Sequence, residues 1–206
     1  MNTANLPTRR AILAGAFCLV HPRISHAKGT ATEIVARVGG HRGPGPIVPP
    51  VPVPQLPVLL EDGTSTDLAA MMQGKVSALQ FVLTGCGSFC PILGTIFSRV
   101  QDQLGGGDEC QLVSLSLDPV GDTPRAFTAW LAKFGAGRHW RAAIPQTGPA
   151  GIIALLQAWG LATGTSSVFH TETVLLVDRT GRLVYRFADL PDPTPVAGMM
   201  RRLAAR

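Results

Sequence analysis

The feature that most constrains this chain is a strand-to-helix junction that carries two cysteines. An apolar run, Val76–Leu83, predicts a buried strand, and the segment TGCGSFCP follows it at residues 84–91. Apolar side chains then recur three and four positions apart, which predicts a helix that ends at Gly105. Pro91 suits the first helical position, so Cys90 is predicted to be the N-cap residue. The predicted buried face of this helix consists of Ile92, Leu93, Ile96, Phe97, Val100 and Leu104.

The two thiols are therefore expected beside the positive end of a helix. That end stabilises thiolate and should lower the pKa of both Cys86 and Cys90. Residues of this type in this position favour either metal binding or thiol-disulfide chemistry.

The first 27 residues have the three regions of an export signal. Arg9 and Arg10 precede a short apolar run, Ala11–Val20, and small residues follow at Ser25 and Ala27. The run is too short to span a bilayer, which needs about 20 residues, and the paired arginines resemble a twin-arginine signal. We predict an exported, periplasmic protein without a stable membrane span rather than a membrane-anchored one. The alternative is a basic, disordered tail.

Charge and composition exclude a nucleic-acid partner and favour a single core. The net charge is +5, but Arg9, Arg10 and Arg23 account for most of it. Only 6% of residues are aromatic, and no basic stripe is interleaved with them, so the footprint of a nucleic-acid-binding surface is missing. Apolar residues make up 46% of the chain, which is enough for one substantial core.

The remaining chain divides into a linker and one domain. Residues 28–55 are rich in proline and glycine and predict an extended spacer without regular structure. Residues 56–206 alternate between strand and helix patterns and end with a β-hairpin around residues 178–181 and a last helix. This order predicts an α/β domain with three layers, in which helices cover both faces of the sheet.

Cysteine usage excludes a disulfide framework. Once the signal and its Cys18 are removed, Cys86, Cys90 and Cys110 remain, which is an odd number for an oxidising compartment. Cys86 and Cys90 are the natural pair, either as a reducible disulfide or as two ligands of one metal ion. Cys110 begins an apolar run and is expected to be buried and inert.

Histidine is the residue type that would complete a metal site. His41 lies in the predicted linker and His139 beside a polar turn, whereas His170 shortly precedes a predicted strand, Thr173–Val177. We expect that strand beside Val76–Leu83, which would bring His170 near the thiols; the alternative is a loop histidine without a ligand role. Two sulfurs and one imidazole suit copper, Cu(I) above all, whereas structural zinc would need a fourth protein ligand.

These residues carry a resemblance to a known family. The pattern FxxTxCxxxCP at residues 81–91, the pattern SLDPxxDTP at residues 116–124, and His170-Thr171 ahead of LVDxxG at residues 176–181 resemble the SCO/SenC family. The resemblance runs from about Pro57 to the C-terminus and keeps the order and spacing of these motifs. Two positions depart from the family pattern: Gly87-Ser88-Phe89 stands where proline and an acidic residue are usual, and Phe169 stands where aspartate is common. Both changes remove a carboxylate, which favours Cu(I) or plain thiol chemistry over Cu(II).

The resemblance implies a thioredoxin-like fold with a central mixed sheet. It also implies copper ligands at Cys86, Cys90 and His170, and a role in assembling the dinuclear copper site of cytochrome c oxidase subunit II or of another copper-site protein. Some members of the family act instead as thiol-disulfide reductases on the cysteines of that subunit. A copper metallochaperone is therefore our first hypothesis, and a thiol-disulfide oxidoreductase that uses Cys86 and Cys90 is the alternative. A peroxidase-like reaction is a third hypothesis. It would need an arginine beside the attacking cysteine, and the first arginine after the two cysteines in the sequence is Arg99.

Overall fold

The computed structural model describes Met1 and residues 43–161 and 172–206. These residues form one mixed sheet of eight strands and five helices. The strands are β1 (Gly45–Pro52), β2 (Pro57–Leu60), β3 (Ser65–Asp67), β4 (Val76–Val82), β5 (Cys110–Ser116), β6 (Trp140–Pro145), β7 (Thr173–Val177) and β8 (Arg182–Asp189). The helices are α1 (Leu68–Met71), α2 (Phe89–Leu104), α3 (Pro124–Lys133), α4 (Gly148–Ala158) and α5 (Pro193–Ala204).

The strand order across the sheet is β1-β8-β7-β4-β5-β6-β2-β3. β4 pairs in parallel with β5 and antiparallel with β7, so the predicted neighbourhood of β4 and β7 is confirmed. Every residue of β4, β5 and β7 is buried, as expected for strands that are covered on both faces.

Two apolar clusters cover the two faces of the sheet. One cluster contains buried side chains of α2, α3 and α5, and the other contains those of α1 and α4. The three-layer α/β fold with helices on both faces is therefore confirmed.

Local sequence signals explain where most helices begin and end. Thr123 caps α3, because its hydroxyl accepts a hydrogen bond from the Ala126 N–H at 3.1 Å. Gly105 ends α2, as predicted, with a φ of 70° that disfavours residues with a Cβ. In the hairpin between β7 and β8, Asp178 Oδ1 accepts a hydrogen bond from the Thr180 N–H at 2.9 Å. The polar turn is therefore held by its own side chains.

The linker prediction is wrong for residues 45–55. Gly45–Pro52 form β1, which pairs antiparallel with β8, and Ile47 and Val53 are buried in the core. The prolines suggested a spacer, but an edge strand tolerates proline because one side of its backbone needs no partner. β1 is such an edge strand, so the sheet includes residues about ten positions before the predicted boundary at residue 56.

Two details of α2 also differ from the prediction. The helix begins at Phe89 with Ser88 as its N-cap, so Cys90 lies within the first turn rather than at the cap. Ile92 was predicted to be buried but is 46% exposed, while Cys90 and Gly94 join the buried face. Cys90 is three positions before Leu93 and seven before Phe97, so it shares their buried face, whereas Ile92 lies about 100° from Leu93 around the helix, at the edge of that face.

Candidate metal and redox site

The two thiols lie at the end of the sheet where the chain passes from β4 to α2. Cys86 is in the loop between these elements and is partly exposed, and its N–H donates to the Leu83 carbonyl at 3.0 Å. Cys90 is in the first turn of α2 and is only 5% exposed. Both are free thiols, and the loop between them is short enough that each influences the charge of the other.

Ser88 contacts the accessible thiol. It occupies the N-cap position of α2, but its hydroxyl makes no capping hydrogen bond. The hydroxyl Oγ instead lies 3.5 Å from Cys86 Sγ. The position that the family usually gives to a proline or an acidic residue therefore supplies a neutral hydrogen-bonding group here.

The environment of Cys86 favours its thiolate. Partial burial opposes ionisation, but it is outweighed by hydrogen bonds from the Ser88 hydroxyl, from the backbone of Cys90 and Ser88, and from the Cys90 thiol. Together these lower the pKa of Cys86 to about 6. At neutral pH, Cys86 is therefore mostly thiolate, the form that binds soft metals and attacks disulfides.

Cys90 has the opposite character. Burial raises the pKa of its thiol to about 11, and the negative charges of Cys86 and Asp122 add to the effect. The expectation that the helix would lower both pKa values is therefore wrong for Cys90, because desolvation outweighs the helix dipole at a buried sulfur.

A buried carboxylate, Asp122, ties together the two loops at this end of the sheet. Asp122 is 8% exposed and accepts hydrogen bonds from the N–H of Thr84 at 3.0 Å and from the Thr84 hydroxyl. Its other oxygen accepts from the Ser116 hydroxyl at 2.6 Å. Thr84, two residues before Cys86, is thereby fixed against the loop that follows β5.

Sequence reasoning identified these motif residues but not their contacts. Thr84 and Asp122 are 38 positions apart, so no local spacing connects them. The available signal was that both polar residues lie in the loops that follow neighbouring parallel strands, whose carboxyl ends meet at one edge of the sheet.

Of the predicted ligands, the structure brings Cys86 and Cys90 together. His170 lies outside the described residues, which resume at Glu172. Within the described ranges, no group of three histidine, cysteine or acidic side chains could hold a metal ion. His139 precedes β6, at the other end of the sheet from the thiols, where its Nε2 lies 3.1 Å from Asp108 Oδ1.

The remaining expectations concern Cys110, arginine and the membrane. Cys110 is 8% exposed at the start of β5, and burial raises the pKa of its thiol, in line with a buried and unreactive cysteine. The groups that shift the pKa of Cys86 and of Cys90 include no arginine, so the peroxidase hypothesis gains no support from this part of the chain. In residues 43–161 and 172–206, no helix has the length and apolarity that a membrane span requires.

Exposed apolar side chains surround the thiol end. Phe89 and Ile92, in the first turn of α2, are 39% and 46% exposed, and Val120 in the loop after β5 is 77% exposed. Apolar side chains next to an accessible reactive group are typical of a surface that meets another protein.

The fold and the paired thiols define a thioredoxin-like protein with a dithiol at the start of a helix. The family model described as SCO1/SenC matches residues 59–205, so this chain belongs to the SCO1/SenC family. No curated protein matches the sequence.

Solved structures agree with this assignment. Copper-bound ScoI of Bradyrhizobium japonicum is 23% identical, with a TM-score of 0.60, and the match covers 73% of this chain and 98% of that one. A SCO1/SenC family lipoprotein of Bacillus anthracis is 20% identical, with a TM-score of 0.66 and coverages of 76% and 98%. BsSco, a member of the Sco family of cytochrome c oxidase assembly proteins in which a disulfide switch has been identified, is 16% identical, with a TM-score of 0.64 and coverages of 76% and 95%. At these identities the likeness supports the fold.

Proposed function

We propose that this protein is a periplasmic metallochaperone that binds Cu(I) through Cys86, Cys90 and His170. In this proposal it delivers the ion to, or matures, the dinuclear copper site of cytochrome c oxidase subunit II. The observation that carries the proposal is the pair of free thiols at the start of α2, one of them accessible with a pKa lowered to about 6. Copper-bound ScoI, a protein of the same fold, supports the choice of metal.

The donor set fits Cu(I) as cargo. Thiolate and imidazole are the ligands that this soft ion prefers, and three-coordination satisfies it. The hydrogen bonds around Cys86 hold one sulfur ready as thiolate, whereas Cys90 has to lose its proton when the ion binds.

The position of β7 supports His170 as the third ligand. Leu79 pairs with Leu175 in antiparallel register, so Thr173 lies two residues further toward the thiol end of the sheet. His170 is three residues before Thr173, and an extended chain of that length reaches at most about 11 Å. A chain of this length allows His170 to reach the end of the sheet that carries both cysteines, which supports its role as a ligand.

Export through residues 1–27, followed by a linker and the folded domain, is part of the same proposal. The three regions of the export signal support a periplasmic location, where copper sites of respiratory oxidases are assembled in the family that this chain resembles.

Titration of the fully reduced protein with Cu(I) against a competing chelator tests the metal site. We expect one copper per monomer, with at least a hundredfold weaker affinity in Cys86→Ser, Cys90→Ser and His170→Ala, by analogy with the loss of one ligand from a metal site. His139→Ala and Cys110→Ser are the matched controls and should bind as the unchanged protein does. Unchanged affinity in His170→Ala would remove His170 from the site, and no copper binding at all would refute the metallochaperone.

A second function, thiol-disulfide exchange with a partner, is favoured by the contrast between the two thiols. The exposed Cys86 thiolate would attack one sulfur of a partner disulfide, forming a mixed disulfide and releasing the other partner sulfur as a thiolate. Cys90 would then lose its proton and attack Cys86 Sγ, forming the Cys86–Cys90 disulfide and releasing the second partner thiolate. Two electrons pass from the dithiol to the partner disulfide, and solvent protons balance the released thiolates.

A trapping experiment separates this function from copper transfer. With a disulfide-bonded peptide as the probe, Cys90→Ser should accumulate the mixed disulfide because Cys86 attacks and nothing resolves it. Cys86→Ser should accumulate far less. Equal trapping by both variants would exclude the assigned order of attack. Reduction of the peptide by the double variant Cys86→Ser/Cys90→Ser would exclude these thiols as its source.

A further inference from the structure

A groove of about 680 Å³ lies between β1, β8 and α5, away from the thiols. It exists because α5 packs on β4 and β5, while β8 and β1 continue the sheet beyond the helix. Its size is in the range of ligand-binding clefts in proteins.

The floor of the groove is apolar. It is formed by prolines of β1, by neighbouring side chains of β8 and by the outer face of α5. These residues are Pro46, Pro50, Val184, Tyr185, Met199 and Leu203. A floor of this composition accepts an aliphatic or aromatic group rather than a polar one.

One end of the groove is positively charged. Arg179 and Arg206 line it, and within the described residues neither guanidinium makes a hydrogen bond or an ion pair. The acidic side chain of the lining, Asp178, is already engaged: its Oδ1 accepts from the Thr180 N–H, the Thr180 hydroxyl and the Arg182 N–H at 2.8–3.0 Å. The two arginines therefore remain available to an anion, and guanidinium groups are well suited to phosphate and carboxylate.

This charged end is remote from the thiols. Because β7 runs antiparallel to β4, its final residues and the turn that contains Arg179 lie where β4 begins, and the Gly74 N–H donates to the Arg179 carbonyl at 2.9 Å. β4 has seven residues, so about 23 Å of strand separates this end from the thiol loop.

We propose that the groove binds one anionic amphiphile, with an acyl chain on the apolar floor and a phosphate or carboxylate group between Arg179 and Arg206. The charge of the two arginines complements the anionic group, and the apolar floor beside them fits the acyl chain. The site is separate from the thiols and goes beyond the copper-binding function.

The composition of the chain offers a local probe for this site. Tyr185 is the only tyrosine in the sequence, so full-length protein labelled with 3-fluorotyrosine gives one ¹⁹F resonance, which reports on the groove. Binding elsewhere, for example at the apolar run Ala11–Val20, would leave that resonance in place. The titrants are lysophosphatidylglycerol and lysophosphatidylcholine of equal chain length, both kept below their micelle concentrations.

We expect a saturable shift of this resonance with the anionic lipid. The zwitterionic lipid should bind at least about fivefold more weakly, since only the anionic headgroup carries a net negative charge that the arginines can bind. The double variant Arg179→Gln/Arg206→Gln should bind the anionic lipid about tenfold more weakly. The matched control Arg125→Gln/Lys133→Gln removes two charges from α3, which packs on β6, four strands from β8 in the sheet, and should change the affinity less than twofold.

Three results would overturn the proposal. They are an unmoved resonance, equal binding of the two lipids, and equal weakening by the groove and control variants. A shift produced by phosphatidylglycerol vesicles but not by the monomeric lipid would also contradict it and would assign the groove to a bilayer surface. The ¹⁹F spectrum of each variant without lipid shows whether the fold around Tyr185 is kept.

Discussion

Cys86 and Cys90 are four residues apart but ionise very differently, because one sulfur faces polar hydrogens and the other faces the core. The Ser88 hydroxyl and the backbone at the start of α2 surround Cys86, whereas Cys90 packs in the apolar cluster below the helix. The difference in pKa, from about 6 to about 11, assigns the accessible thiolate to Cys86.

Alkylation by iodoacetamide should therefore separate the two thiols by pH. Thiolate reacts and thiol does not, so the rate at Cys86 should rise through a midpoint near pH 6, while Cys90 stays slow until the solution is strongly alkaline. The rates are measured by mass spectrometry in Cys90→Ser and Cys86→Ser, each in a Cys110→Ser background. Equal rates at pH 7 would contradict the assignment.

The Thr84–Asp122 contact should contribute to stability as well as to the shape of the thiol loop. In Thr84→Val the buried Asp122 loses a hydroxyl donor, so we expect the free energy of unfolding to fall by about 1.5–3 kcal/mol. Thr95→Val is the matched control, because its exposed hydroxyl donates only to the Pro91 carbonyl within α2, and it should cost less than about 0.5 kcal/mol. Urea unfolding followed by tryptophan fluorescence measures both, and a similar loss in the two variants would show that Asp122 does not depend on this bond.

At the scale of elements, the long apolar or amphipathic segments were predictable. β4, β7 and α2 were located within a few residues, since their apolar side chains follow a clear pattern and α2 has a clear end signal at Gly105. The predicted contact of β4 with β7 was also correct, because it follows from the order of the elements.

Elements that depend on tertiary contacts were not predictable. β1 is held by pairing with β8, which lies about 130 positions later in the chain, and its prolines suppress the usual strand signal. The helix starts two residues earlier than Pro91 suggested, and the exposure of Ile92 and the high pKa of Cys90 both follow from the way α2 packs on the sheet, with the face of Cys90 and Leu93 turned inward.

The role of β1 as a core element can be tested with two neighbouring residues. Ile47 is 3% exposed and belongs to the apolar cluster that contains side chains of α1 and α4, so Ile47→Ala should lower the free energy of unfolding by about 2–5 kcal/mol. Val48→Ala, at a position that is 72% exposed, should change it by less than about 0.5 kcal/mol. Chemical denaturation measures the free energy of unfolding of both variants. An equally small effect of the two would show that residues 45–52 act as a spacer and not as a core strand.

At the scale of the whole molecule, the sheet separates two surfaces. The thiols, Asp122 and the exposed apolar residues occupy the end where β4 and β5 finish, and the arginines of the groove occupy the end where β4 begins. A partner that receives copper or electrons at the first end therefore leaves the second accessible. This arrangement follows from a fold in which the loops at the carboxyl ends of parallel strands carry the reactive groups.

X-ray absorption at the copper edge, on the one-to-one complex of the reduced protein with Cu(I), tests the proposed site most directly. The proposal predicts a three-coordinate ion with two sulfur ligands and one imidazole nitrogen, and loss of the nitrogen contribution in His170→Ala but not in His139→Ala. A site with sulfur ligands alone in the unchanged protein, or a nitrogen contribution that persists in His170→Ala, would contradict the assignment of Cys86, Cys90 and His170.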